Sequence, residues 1–350
     1  MNPAEALRAG LPRVLGPDGL EGPLPEELGP ADLLELLRAL LAQRALDEVL
    51  GRLCAVGVLP RYPAAVGLEA AIFGPGWALN AQDWVFPALR EHGIARLRGA
   101  TLDELVAQCF GNRLDRGRGR QLPGHVAAPQ QHFASASLPL ATHLVHAAGA
   151  ARAMKLGKRS AVAVAYLGAA ATCTSDFHAA CDLAGRERLP LVLVCVRNVG
   201  GACELCERTL APTVGDRVRP YGLSVARVDG ADVLGAYAVA RDAVARARRG
   251  EGPAFIEAVA WRLDDPTALA DAPAFAAWDP LARFERHGLA AGWFDGEQLA
   301  HARAKARADV DAAVAIMSVQ GPPPRESLFD DVFAARPSSL EAQLTALRGV

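Results

Sequence analysis

Residues 160–166 read Ser-Ala-Val-Ala-Val-Ala-Tyr, and residues 190–196 read Pro-Leu-Val-Leu-Val-Cys-Val. Both are short apolar runs with β-branched residues, the mark of strands buried on both faces. Between them, Ser175–Arg188 reads as a helix, with Ser175 or Asp176 placed to cap it. Leu223–Val228 and Ala254–Ala260 are two more strand candidates, separated by a helix over Asp232–Arg249 that ends at Gly250. Near-continuous apolar strands alternating with helices predict βαβ units, hence an α/β fold with a mostly parallel sheet covered on both faces. Ligands of such sheets bind at the carboxyl ends of the strands. The segments that begin at Leu167, Arg197 and Trp261 are therefore where a site is expected.

Outward from this centre, leucines at 33, 34, 36, 37, 40 and 41 recur at helical spacing and predict an amphipathic helix over Asp32–Leu53. Thr101 followed by Glu104 is a capping box for a helix over Leu102–Gln108. Gly111–Gly124 reads as a basic, Gly-rich loop that matches neither a P-loop nor a dinucleotide fingerprint. Leu140–Ala153 reads as helix, as does Pro280–Ser318, whose charge-rich stretch Arg303–Asp311 reads as a solvated face. Gly321-Pro322-Pro323-Pro324 ends that helix, and the tail carries Leu328, Phe329, Val332 and Phe333 before a short last helix. The expected organisation is an irregular N-terminal arm over 1–30, one α/β domain with helical extensions over 31–320, and a tail over 321–350 packing on the domain or on a partner.

The composition bounds the function. Of 350 residues, 51% are hydrophobic and 22% charged, enough to build a large core. A formal net charge of -2 gives no footing for bulk nucleic-acid binding. No run of 18 apolar residues is present, so no membrane span is expected. Residues 1–16 include Glu5 and lack a signal-peptide core, which makes the cytoplasm the expected location. Seven cysteines are too few for a disulfide framework and are expected as buried thiols.

Several segments together resemble one family. They are Asp83-Trp84-Val85-Phe86-Pro87, the run Gly119–His125, Ser137-Leu138-Pro139-Leu140-Ala141-Thr142, Ser175-Asp176-Phe177-His178, Arg227-Val228-Asp229-Gly230, Asp279-Pro280, Gly292-Trp293 and the run Leu328–Val332. In this order, over roughly residues 30–345, they resemble the α subunits of thiamine-diphosphate-dependent 2-oxoacid dehydrogenases. The branched-chain (2-oxoisovalerate) type is nearest. The resemblance implies the thiamine-diphosphate-binding fold with helical N- and C-terminal arms. It implies a β subunit in an α2β2 heterotetramer and a lipoyl-bearing transacylase as partners. It also implies oxidative decarboxylation of a branched-chain 2-oxoacid, with acyl transfer to the lipoyl group. Thiamine diphosphate would lie at the α–β interface, its diphosphate held by the α subunit through Mg²⁺.

Carried over residue by residue, the resemblance gives a cofactor set of Arg90, Leu140, Gly168, Arg197 and Asn198. It gives Asn198 and the Gly200 carbonyl as metal ligands. It gives Ser137, Pro139 and Thr142 as residues around a structural K⁺, with His143 where the family has Gln. Arg208-Thr209 would open the loop that meets the lipoyl partner. A diphosphate needs such cationic and backbone donors because its charge is concentrated.

The departures fall in the same site. The family's acidic metal ligand is Ala169 here, in Gly168-Ala169-Ala170, and its Tyr-Arg pair is Leu89-Arg90. Its second arginine is at 197 rather than 196, one residue along a strand end. After the last strand, Trp261-Arg262-Leu263-Asp264-Asp265-Pro266 lacks roughly half a dozen residues of the family's pattern, including its histidine. His92, His125 and His178 are the candidates to stand in, each with a structural role as the simpler reading. Two functions stay open: an active α subunit, or a catalytically impaired paralogue kept as an assembly or regulatory partner. A third reading, a new soft-metal or redox site, rests on Cys173, Cys203 and Cys206. Against it, Cys181 and Cys195 suit a helix face and a strand core.

Overall fold

The computed structural model describes residues 10–16, 19–199, 211, 213–264 and 278–349. Among them a five-stranded sheet has the order β1-β2-β3-β5-β4, parallel throughout. The strands are β1 (Trp84–Phe86), β2 (Ala163–Gly168), β3 (Leu191–Asn198), β4 (Ser224–Asp229) and β5 (Ala254–Ala260). Apart from the three-residue β1, each falls within a few residues of its expected place.

Two helical layers cover the sheet. Helices α5 (Thr142–Leu156) and α6 (Ser175–Arg186) pack on Ala163, Ala165, Leu191, Leu193 and Phe255. On the other face, α1 (Pro30–Ala55), α2 (Glu69–Trp77) and α7 (Val233–Arg248) pack on Val164, Tyr166, Val192, Val194 and Ile256. The two faces follow from chain direction. The chain moves one way along the sheet from β1 to β3 but steps back from β4 to β5, and a right-handed crossover then places its helix on the opposite face. The reversal leaves a crevice beside β3 and β5, the usual place for a ligand in such a sheet.

Smaller elements complete the fold: α3 (His92–Leu97), α4 (Leu102–Phe110), α8 (Pro280–Ala291), α9 (Gly296–Ser318) and α10 (Ser338–Arg348). The capping box at α4 is formed: Thr101 Oγ1 accepts the Glu104 N–H at 3.2 Å, and Glu104 accepts the Thr101 N–H at 2.9 Å. Two expectations are corrected. The cap of α6 is Thr174, which accepts from Phe177, because the chain enters the helix one residue earlier than Ser175. The stretch 280–318 is two helices: Gly292 turns left-handed at φ 70°, and Asp295 with Gln298 forms a new capping box. No helix among the described residues is long and apolar enough to cross a membrane.

Buried ion pairs lock the helices to the sheet and to one another. Arg44 on α1 donates to Glu69 at 2.6 Å and to Asp279 at 2.9 Å, joining α1, α2 and the cap of α8. Asp232 caps α7 and also accepts the Leu15 N–H at 3.0 Å, fixing the N-terminal segment to the domain. In the tail, Leu328, Val332 and Phe333 are exposed.

Candidate functional site

The carboxyl ends of β1, β2, β3 and β5 bring together most of the expected cofactor residues. Gly168 and Asn198 end β2 and β3, with Gly168 paired to Val196 and Asn198 to Ala260. Arg90 follows β1. The turn that carries it is built by Glu91, a buried carboxylate that accepts the N–H groups of Leu89 at 2.9 Å and Arg90 at 3.0 Å. Arg90 itself donates to the Ala64 carbonyl. Burial, with the Arg262 guanidinium beside it, holds Arg90 below the usual arginine range.

The loop after β5 closes on the same place. Leu263 N–H donates to the Val66 carbonyl at 2.9 Å, and a Cβ on Gly67 would lie 2.3 Å from the Trp261 carbonyl oxygen. Glycine is needed there both for that approach and for its φ of +89°. Arg262 lies between these segments. Its N–H donates to Asn198 Oδ1 at 3.0 Å, and its Nε is 2.9 Å from Asp264 Oδ1. Arg262 is a site residue that no sequence motif marks. Its only signal was an arginine two residues past the end of an apolar strand.

Strand alternation separates Arg197 from Asn198. Arg197 lies on the α5–α6 face, where it donates to Glu257 Oε1 at 2.8 Å. Arg227 and the Gly215 N–H meet Oε2 of the same fully buried carboxylate. The expectation that Arg197 joins the cofactor set is corrected: the one-residue shift turns its guanidinium to the opposite face.

The metal half of the site does not fit a divalent cation. Ala169 has no oxygen on its side chain and packs against the α5–α6 core cluster. Asn198 Oδ1 already accepts from Arg262. Among the described residues no group of three or more His, Cys, Asp or Glu is placed to hold a metal. Gly200 lies outside the described residues, as do Cys203, Cys206, Arg208, Thr209, Asp265 and Pro266. The arginine half does suit a diphosphate, whose oxygens match a guanidinium.

Ser137 Oγ donates to the Pro139 carbonyl at 3.2 Å, while Thr142 Oγ1 donates to Asp176 at 3.1 Å, away from that pair. Leu138 and Leu140 are exposed. His143, in place of the family's Gln, is buried and bonded to the Tyr166 carbonyl at 2.6 Å.

The three histidines weighed as stand-ins are held elsewhere. His125 meets the Leu122 carbonyl at 3.0 Å, and His178 meets the Tyr221 hydroxyl at 2.9 Å. His92 is buried in a polar network from α1. Its Nε2 lies 2.7 Å from the Tyr62 hydroxyl and 3.1 Å from Gln43 Nε2. Tyr62 and Gln43 both donate to Asp47 Oδ1, at 2.7 and 2.8 Å. Burial pushes Asp47 up to about 8 and His92 down to about 4. Near neutral pH both are therefore mainly uncharged. The sequence carried a sign of this network: Gln43 and Asp47 continue the buried stripe Leu36, Leu40 and Leu50 of α1.

Cys173 is exposed in the turn after β2, with Arg217 Nη1 3.3 Å from its Sγ. Cys181 and Cys195 are buried, as expected for a helix face and a strand core.

The model of the dehydrogenase E1 component family matches residues 38–325. A 2-oxoisovalerate dehydrogenase subunit alpha 2, mitochondrial, of Arabidopsis thaliana is 34% identical over 304 residues, which are 83% of this chain and 64% of that protein. The human 2-oxoisovalerate dehydrogenase subunit alpha is 32% identical over 327 residues, 90% of this chain and 73% of its own length. The Caenorhabditis elegans subunit is 30% identical over 323 residues, 89% and 74%. The chain thus spans somewhat less than two thirds of the plant relative. With a single parallel sheet, two helical layers and a match running through all of them, the chain belongs to the dehydrogenase E1 component family.

Proposed function

We propose that this chain is the α-type subunit of a 2-oxoacid dehydrogenase, joined to a β subunit, and that a diphosphate group docks at the carboxyl ends of β1–β3. The observation that carries this reading is Arg90, held by the Glu91 turn beside the ends of β2 and β3 in a chain collinear with 2-oxoisovalerate dehydrogenase α subunits. Thiamine diphosphate would supply the carbanion chemistry that removes CO₂ from a branched-chain 2-oxoacid. The acyl group would leave on a lipoyl group of a transacylase. This chain's part is to bind and orient. Arg90 pairs with phosphate oxygens, and the loop 261–264 packs over the site from the β5 side. Leu138 and Leu140 offer an exposed apolar surface to the β subunit. A K⁺ in the 137–142 segment would rest on Ser137 and Pro139 oxygens.

Mg²⁺ does not fit the donors present, and no step is assigned to it. This misfit supports a second reading, a paralogue with impaired catalysis that serves assembly or regulation. Ala169 removes the acidic ligand, and Arg262 occupies one lone pair of Asn198.

Co-purification with a β-like subunit, followed by calorimetry with thiamine diphosphate and turnover of 2-oxoisovalerate, separates the readings. Binding together with turnover supports the active subunit. Stable pairing with no cofactor binding at millimolar concentration supports the paralogue. Failure to pair with any β subunit sinks both. Metal analysis of the purified chain tests the cysteine reading, and zinc or iron in stoichiometric amount would favour it.

A further inference from the structure

Away from the strand ends, α1, α2 and α3 enclose a groove of about 420 Å³. Ala39, Phe73, Trp77 and Leu97 supply its apolar lining. Two polar groups there lack partners. The Arg96 guanidinium on α3 is half-buried and makes no hydrogen bond or ion pair with any described residue; burial lowers its affinity for its own proton, opposed only by the charge of Asp309. A guanidinium removed from water is normally paired. The acids that could serve it are committed elsewhere. Asp309 holds Lys305 at 2.9 Å, Glu35 holds Arg38, and Asp32 accepts the Gly29 N–H at 2.9 Å.

The second group is Gln43 Oε1. Its Nε2 donates to Asp47 Oδ1 at 2.8 Å and lies 3.1 Å from His92 Nε2, which turns the oxygen toward Gly93. The oxygen is buried with no partner. It lies against Gly93, where an added Cβ would come within 2.3 Å of it and within 2.6 Å of Phe73 Cζ. Arg96 is three residues beyond Gly93 along α3, so cation and acceptor share one face of that helix.

We propose that this groove binds an apolar 2-amino acid. The carboxylate pairs with Arg96, the ammonium donates to Gln43 Oε1, and the side chain lies on Phe73, Trp77 and Leu97. The charged groups of the lining, Asp32 and Glu35 against Arg38 and Arg96, cancel, which suits a zwitterion better than a simple anion. The volume falls in the range of small-molecule sites, and an apolar lining with a few polar anchors is their usual build. Gln43 also touches His92, which places the ligand one side chain from the turn that carries Arg90. The proposal stands whether or not the chain binds thiamine diphosphate.

Calorimetry on the full chain tests it with L-leucine, 4-methylpentanoate, which lacks the ammonium, and L-leucinamide, which lacks the carboxylate. Leucine is expected to bind, with each analogue weaker by about tenfold or more, and Arg96→Gln should weaken leucine to a similar extent. Saturating thiamine diphosphate should leave leucine binding in place. No binding at about 10 mM leucine overturns the proposal, as does either analogue binding as tightly as leucine. Should Arg96→Gln not fold, as judged by circular dichroism, the three ligands on the unmodified chain still decide it.

Discussion

Asn198 Oδ1 accepts the backbone N–H of Arg262 at 3.0 Å, so the oxygen that the family offers to a metal is tied to the loop after β5. With alanine at 169 the acidic side chain expected beside it is missing. The chain is expected to show no specific Mg²⁺ binding tighter than about 1 mM by calorimetry, and Ala169→Asp alone should not create it. Restoring the carboxylate leaves the amide oxygen engaged and the loop unchanged. A Mg²⁺ isotherm in the micromolar range from either protein would contradict this.

The Asp47–Tyr62–His92 network sets a pH dependence with a definite sign. Folding raises Asp47 from 3.8 to about 8, so its contribution is complete below its unfolded value and is lost as pH rises through about 8. Folding lowers His92 from 6.5 to about 4, so its contribution is present above 6.5 and is lost as pH falls through about 4. Between about 4 and 6.5 the two slopes oppose each other. Above 6.5 only Asp47 remains, at about 1.4 kcal/mol per pH unit. Urea unfolding of Asp47→Asn should lack this decline from pH 6.5 to 8 relative to the parent. Equal slopes would place the proton elsewhere.

Arg283 Nη1 donates to Asp229 Oδ2 at 2.9 Å, and both side chains are fully buried. Arg13, whose Nε is 3.8 Å from the same oxygen, is a second cation at that carboxylate. Arg283→Ala should cost about 3–5 kcal/mol, because it removes the fully buried cation of a buried ion pair. The double change Arg283→Met with Asp229→Asn should recover a large part of that loss. Denaturant midpoints measure both, and an undiminished loss in the double variant would mean that packing rather than charge sets the cost.

Cys173 should be alkylated by iodoacetamide well before Cys109 and Cys181. It is exposed beside Arg217, whereas burial pushes Cys109 and Cys181 up to about 12 and leaves little thiolate to react. Peptide mapping after timed labelling gives the order. Labelling of Cys181 first would require α6 to open from the sheet.

The sheet was legible because its signal is local. Strands buried on both faces must be apolar at nearly every position, and 160–166, 190–196 and 254–260 are. The cap of α4 was legible for the same reason, since Thr101 and Glu104 act on N–H groups within three residues. The three-residue strand β1 and the short helices α2 and α3 were not. Each is too brief to show a period, and each is held by tertiary contacts, such as Tyr166 donating to the Ile72 carbonyl at 2.9 Å.

At the candidate site the division is sharper. The sequence by itself determined what is missing: the side chain of Ala169 cannot ligate a metal in any conformation, and the tyrosine before Arg90 is leucine. It also placed Gly168 and Asn198 after apolar strands, at the end of the sheet where ligands bind, whereas Arg90 came only from the family resemblance. Only the tertiary structure decided where the remaining groups point. Arg197 and Asn198 are neighbours in the chain, yet the pleat sends one to Glu257 and the other to Arg262. A contact between residues 64 positions apart leaves no local pattern, because it depends on the register of β3 against β5 and on the path of the chain beyond it.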